Sequence, residues 1–183
     1  MDFQFDDNEY AYVLSTCKTF AEKEYQTTWK QRARRNQTNK ERIIQQTITG
    51  KIGEFAVMFF LLDQGHTVNS PDMEVTYNKS FDADLTWNNR PLHVKSQRMQ
   101  SSQQFGISWT FQKGGYGRGH TDPLTNKILD EDVVFCHVNG KNVSIYGPYP
   151  WSKVKSLLRD PVLDKLKGIK ECIYLKDLKS LQI

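Results

Sequence analysis

The chain predicts an α/β protein with a helical N-terminal extension, and three features predict it. Glu9 to Glu24 carries Tyr10, Val13, Leu14, Cys17, Phe20 and Ala21 at the three-and-four spacing of an amphipathic helix. GKIGEFAVMFFLLDQGH, beginning at Gly50, is a strongly apolar helical run. Beyond it the pattern turns to short β-prone stretches bounded by Asn, Pro, Asp and Gly. With 183 residues, 38% hydrophobic and 25% charged, the chain suits one globular domain able to bury a core.

Taken in order, Asp7 or Asn8 can cap the first helix. Asn36 and Asn39 weaken a continuous helix, which can resume near Asn39 and run through Ile43 and Ile44. Thr49-Gly50 then opens the central core helix, where Ile52, Phe55, Ala56, Phe59, Phe60 and Leu62 are apolar and Gly65 is the stop. Strands are expected at His66 to Asn69, Phe81 to Trp87 and Leu92 to Ser96. Ile107 to Phe111 reads as a strand or a short helix, and periodicity does not decide between them. Gln112 to Pro123 holds four glycines and reads as a loop. Asp132 to Val138 and Asn142 to Tyr146 form a hairpin around Asn139-Gly140. Pro150 starts a helix over Trp151 to Leu158, and Cys172 to Leu175 is a late strand. The expected division is a basic helical extension, 1–45, packed on a core domain, 46–183.

Charge is uneven along the chain. The net charge is +4, yet Trp29 to Arg42 holds six cations (Lys30, Arg32, Arg34, Arg35, Lys40, Arg42) against Glu41 alone. Such a block suits a phosphate backbone, and equally a solvated helix face or linker. In the glycine-rich loop, Lys113 and Arg118 could touch phosphates and Tyr116 could stack on a base, although an ordinary surface loop has the same composition. No apolar run reaches the roughly 18 residues of a membrane span. Met1 to Glu9 holds four acids where a signal peptide would be basic, so a cytoplasmic protein without a membrane partner is expected. Cys17, Cys136 and Cys172 are far apart and in no metal-binding spacing, which fits buried free thiols in a reducing compartment.

The stretch richest in chemistry is FDADLTWNNRPLHVKSQ, ending at Gln97. If Asn88-Asn89 is a two-residue turn, Asp84 stands opposite His93 and Asp82 opposite Lys95. Alternation then puts all four on one face, where a carboxylate and imidazole pair for a metal would stand beside an ammonium. A solvated polar sheet face would look similar. Pro91 removes one ladder donor, which marks an edge.

The order of elements then matters: a helix carrying Gly50-x-x-Gly53-Glu54, a strand ending in Asp84-Leu85, and a strand carrying His93-Val94-Lys95. Over about residues 50–97 this resembles the PD-(D/E)XK nuclease superfamily, and within it the small Holliday-junction-resolvase-like proteins. The resemblance implies a restriction-endonuclease-like core, a central mixed β-sheet flanked by helices. It implies a divalent-metal-dependent DNA endonuclease acting on duplex or branched DNA with Mg²⁺ or Mn²⁺. By position, Asp84 resembles the metal-binding Asp, Glu54 the supporting helical carboxylate, and Lys95 the lysine that activates water and stabilises the transition state. Gln97 lies on the Lys95 face and could orient water or phosphate, and Asp82 could add a carboxylate. The departure is His93, which stands where the family has Asp or Glu. Imidazole there either binds the ion and shifts preference toward Mn²⁺, or marks a domain that has lost its metal and survives as a nucleic-acid-binding or inhibitory protein. A protein-interaction module with an incidental basic segment is a third reading. Cutting both strands of a duplex commonly implies two active sites and hence a homodimer. The size fits a phage, mobile-element or repair enzyme, placing a phage-encoded one in the host cytoplasm.

Overall fold

The computed structural model describes residues 1–34, 36–76, 83–113, 122–126 and 131–181. Two long helices open it, α1 (Asp7–Arg34) and α2 (Lys40–Asp63), after a short strand β1 (Asp2–Gln4). The break between the helices comes where the asparagines stand. Asn36 takes a positive φ of 58°, and Asn39 caps α2 by accepting from the Arg42 N–H at 2.9 Å. Asn39→Ala should lower stability by about 1 kcal/mol, read as a lower urea midpoint with an unchanged slope.

Helix α2 runs unbroken through Gly50 and Gly53. The sequence expectation that a core helix opens at Thr49-Gly50 is therefore corrected: residues 40–63 are one helix, and the boundary at 45/46 falls inside it. Ile52 to Met58 are buried without interruption. That pattern requires cover on opposite sides, which α1 and the main sheet provide.

The main sheet is mixed. It contains β1, β2 (Leu85–Trp87), β3 (Arg90–Arg98), β5 (Asp132–Asn139) and β6 (Asn142–Pro150), in the order β1-β6-β5-β3-β2. Neighbours are antiparallel except β3 and β5, which run parallel. The crossover between these two contains α3 (Met99–Phe105), β4 (Ser108–Gln112) and α4 (Pro123–Asn126). Strand β4 leaves the main sheet and pairs antiparallel with β7 (Lys170–Tyr174) as a small second sheet, so the undecided stretch at Ile107 to Phe111 is a strand. Only an isolated bridge, Val68 to Trp87, forms where a strand was expected at His66 to Asn69. The expected helix after Pro150 is α5 (Trp151–Val154), continued as 3₁₀ turn over Lys155–Leu157. A short α6 (Leu175–Leu178) follows β7.

Strand β5 is buried on both faces, which explains its continuous apolar run. Val134, Cys136 and Val138 face the cluster built on α1 and α2, whereas Val133 and Phe135 face a second cluster with Trp109, Phe111, Trp151 and Ile173. Both hairpin turns follow from backbone sterics. Asn88 and Asn89 have φ of 46° and 63°, as a type I′ turn requires, and the pairs Leu85–Leu92, Thr86–Pro91 and Trp87–Arg90 are those that turn predicts. In the second hairpin Gly140 takes φ of 60° and Asn139 pairs with Asn142, so the loop is Gly140-Lys141.

Gly53 is where α2 comes closest to the sheet. A Cβ there would fall on Ser96 Oγ and lie 3.2 Å from Ser96 Cβ and 3.4 Å from Cys136 Cβ. Gly53→Ala should therefore destabilise by about 1–3 kcal/mol despite the better helix propensity of Ala. An unchanged or raised denaturation midpoint would show that Ser96 can rotate clear. Among the described residues, no helix is long and apolar enough to cross a membrane.

Candidate functional site

The two faces of β3 have separate partners. Leu92 and Val94 belong to the α2-side core, and Ser96 meets Gly53 on that side. By alternation His93, Lys95 and Gln97 project from the other face. Asp84 lies one residue before β2, and its carboxylate turns back to accept from the Val94 N–H at 2.8 Å. The side chain thereby continues the hairpin ladder where the backbone of β2 has ended.

Asp84 shares a hollow with Glu54. About 310 Å³ in volume, it lies between α1, the N-terminal half of α2 and segments 72–76 and 83–84, and is lined by Glu24, Thr47, Lys51, Glu54, Asp72 and Asp84 among others. Glu54 is only 6% exposed. Burial, then the neighbouring charge of Asp84, pushes its carboxyl up to about 8, against the pull of Lys51, whose Nζ donates to Glu54 Oε2 at 2.7 Å. Asp72 raises it further. Lys51 also lies 5.1 Å over the Phe20 ring. A carboxyl kept protonated chiefly by burial, with Asp84 opposing its ionisation, is one whose ionised form a bound cation would favour. Glu24, by contrast, is already engaged by Arg32 at 3.1 Å and by Thr47 at 2.9 Å.

His93 and Lys95 each meet a carboxylate remote in sequence. His93 Nε2 is hydrogen-bonded to Glu131 Oε2, with the two residues 4% and 6% exposed. Lys95 Nζ donates to Asp122 Oδ2 at 2.8 Å and lies 5.4 Å over the Phe111 ring. Gln97 bridges a turn, donating to the Gly106 carbonyl at 3.1 Å and accepting from the Ser108 N–H at 3.0 Å. The structure thus joins Glu54 to Asp84, and His93 to Glu131. Among the described residues, no three His, Cys, Asp or Glu side chains converge as a metal cage, so Glu54, Asp84 and His93 are not assembled as one ligand set. Asp82 lies outside the described residues.

The basic residues divide between internal and surface roles. Arg32 is tied to Glu24 and donates from Nε to Thr28, whereas Lys30, Arg34, Lys40 and Arg42 are exposed. Lys30 and Lys40 each lie 5.6 Å over an aromatic ring, Trp29 and Tyr25 respectively. Lys113 pairs with Glu171 at 3.2 Å. Arg35, Tyr116 and Arg118 lie outside the described residues. Sequence reasoning passed over Lys51, Asp72, Asp122 and Glu131. Lys51 stands three residues before Glu54 and was legible as a helical neighbour, while the others are brought in by tertiary structure alone. Comparison of the chain with family models, curated proteins and solved structures returns no match.

Proposed function

We propose that this protein is a divalent-metal-dependent DNA endonuclease with a restriction-endonuclease-like core. The observation that carries the reading is the buried Glu54 beside Asp84, joined through the Val94 N–H to the strand that bears Lys95. Supporting it are the mixed sheet, the helix-then-hairpin order and the turn register. Two carboxylates suit Mg²⁺ or Mn²⁺, since such ions keep several waters and take substrate phosphate oxygens as further ligands. When bound, the ion supplies positive charge beside the scissile phosphate and acidifies water. His93, on the opposite face of β3 and with Nε2 engaged by Glu131, stands outside the Glu54–Asp84 pair.

The remaining roles fall to the chain. Lys95 lies on the other face of β3 from the Glu54–Asp84 hollow, so in this reading its ammonium exchanges Asp122 for a phosphate oxygen and stabilises, from across the strand, the charge that develops as water adds and the sugar oxygen leaves. Gln97, held between Gly106 and Ser108, keeps the end of β3 rigid beneath it. The exposed Lys30, Arg34, Lys40 and Arg42 grip the backbone from the helical side. Incubating the protein with supercoiled, linear and branched DNA in EDTA, Mg²⁺ or Mn²⁺ tests the reading. Nicking or cutting that needs the ion is the expected result.

A second reading has its own observation. His93 and Lys95 are both paired with internal carboxylates, Glu131 and Asp122, which suits a domain that binds nucleic acid without cutting it. Tight, salt-sensitive binding with no cleavage under any metal would select it.

A further inference from the structure

A polar cluster apart from the Glu54–Asp84 hollow forms where β3, β4 and β7 meet. At its centre is Asp122, whose carboxylate takes the Lys95 ammonium at 2.8 Å. Asp122 is anchored independently of that contact. Its N–H donates to the Gln112 carbonyl at 2.8 Å, and its Oδ1 accepts from the Leu124 N–H at 3.2 Å. Gln112 is the ladder partner of Lys170, which feels the charges of both Asp122 and Arg42. Burial holds the Lys170 ammonium below its usual pKa, and Arg42 lowers it further while Asp122 raises it. The nearby Glu171 is taken by Lys113. Two cations, Lys95 and Lys170, therefore act around one carboxylate, and the exposed Arg42 adds its charge on the Lys170 side. Partly desolvated cations in excess of their counter-ions attract an anion, and the carboxylate already present shows where an oxyanion is accepted.

We propose that Lys95 and Lys170 form a seat for a phosphate group, which Asp122 occupies as an internal anion until the phosphate displaces it. The ligand class is a phosphoryl oxyanion, supplied by a nucleic-acid backbone or by free phosphate. Exchange of the Asp122 carboxylate for a phosphodiester replaces one negative charge with another. It needs only a side-chain rotation, because the backbone anchor to Gln112 stays in place. The inference deepens the nucleic-acid reading of Lys95, and its test is metal-free binding, which stands or falls separately from cleavage.

Asp122→Asn removes the charge while keeping an oxygen for the Leu124 N–H. Anisotropy of a labelled DNA duplex in EDTA should show the variant binding about three- to tenfold more tightly than the native chain, with the log–log salt slope steeper by about one. Lys170→Met should remove most of the gain shown by Asp122→Asn and flatten the slope by about the same amount. Calorimetric titration with pyrophosphate separates the sources. A gain for DNA identifies the backbone as the ligand, whereas a gain for pyrophosphate alone identifies free phosphate, and either supports the seat. Asp164→Asn serves as a control, because Asp164 is an exposed carboxylate paired with Lys167. The seat is overturned if Asp122→Asn gains for neither ligand, if Asp164→Asn gains as much, or if Lys170→Met leaves the gain intact. Should Asp122→Asn not fold, Asp122→Ser, which can also accept from Leu124, repeats the test. If Asp122→Asn gains affinity and no metal supports cleavage, the seat stands and the nuclease reading falls.

Discussion

Lys95→Ala is expected to lower DNA cleavage by about 10²–10³-fold while leaving DNA binding within a few-fold of native. The size of the loss follows from the position of the ammonium, over Phe111 and only partly exposed, where a charge that meets developing phosphate charge is poorly screened. Backbone affinity is spread over several other cations, so binding should change little. One structural side effect needs a control. Removing Lys95 takes the paired ammonium from the Asp122 carboxylate, which is 11% exposed, and the loss of that partner would lower stability. The double variant Lys95→Ala, Asp122→Asn removes both charges and should recover the native melting temperature without recovering cleavage. Single-turnover cleavage at saturating protein, read beside thermal melts of both variants, separates the two effects. Unchanged cleavage by Lys95→Ala would end its assignment.

In EDTA at pH 8, Glu54→Gln is expected to be more stable than the native chain, by roughly 3–5 kcal/mol at most. The sign follows from the proton. Burial first, then Asp84, hold the Glu54 carboxyl at about 8 in the folded chain, against 4.5 for a free one. The folded chain therefore keeps a proton that the unfolded chain releases. Stability is full below pH 4.5, and falls as pH rises from there through about 8. Asp84, Asp72 and Lys51 are the charges acting on the group, and the pull of Lys51 is already contained in that balance. Glutamine cannot ionise, so the variant should not show this fall. A divalent ion should act in the opposite sense on the native chain, adding about 2.7 kcal/mol at a hundred times its dissociation constant and nothing to Glu54→Gln. Urea titrations from pH 5 to 8.5, with EDTA or with Mn²⁺, read both effects. Parallel curves for the two proteins would show that Glu54 is neither strained nor cation-linked.

How much of this was legible in the sequence depends on the range of the interaction. The Asn88-Asn89 turn fixed the register of its hairpin because both residues tolerate a positive φ, and Asn39 marked the helix start for the equally local reason that its side chain caps it. Gly50 misled: beside Thr49 it reads as a helix start, yet α2 runs through it, and Gly53 one turn on is where α2 presses on Ser96. Placement of β4 in a separate sheet with β7 depends on pairing between residues more than fifty positions apart, which no periodicity records. The candidate site divides in the same way. The resemblance implied Glu54 beside Asp84, whereas alternation predicted Asp84, His93 and Lys95 on one face, a group the structure divides into Asp84 with Glu54 and His93 with Lys95. That the second pair faces away from the first follows from Asp84 standing just outside β2 and reaching around to Val94. The counter-ions Glu131 and Asp122 arrive from within the crossover, 38 and 27 residues after the groups they meet.

Conversion of supercoiled plasmid to nicked and linear forms, compared for the native chain, Glu54→Gln and Asp84→Asn in Mg²⁺, Mn²⁺ and EDTA, tests most directly whether Glu54 and Asp84 hold a cation for phosphodiester hydrolysis. The expected result is cleavage by the native chain that requires the ion and is lost in both variants. Cleavage that survives EDTA or either substitution, or its absence with every metal while DNA is bound tightly, would contradict it.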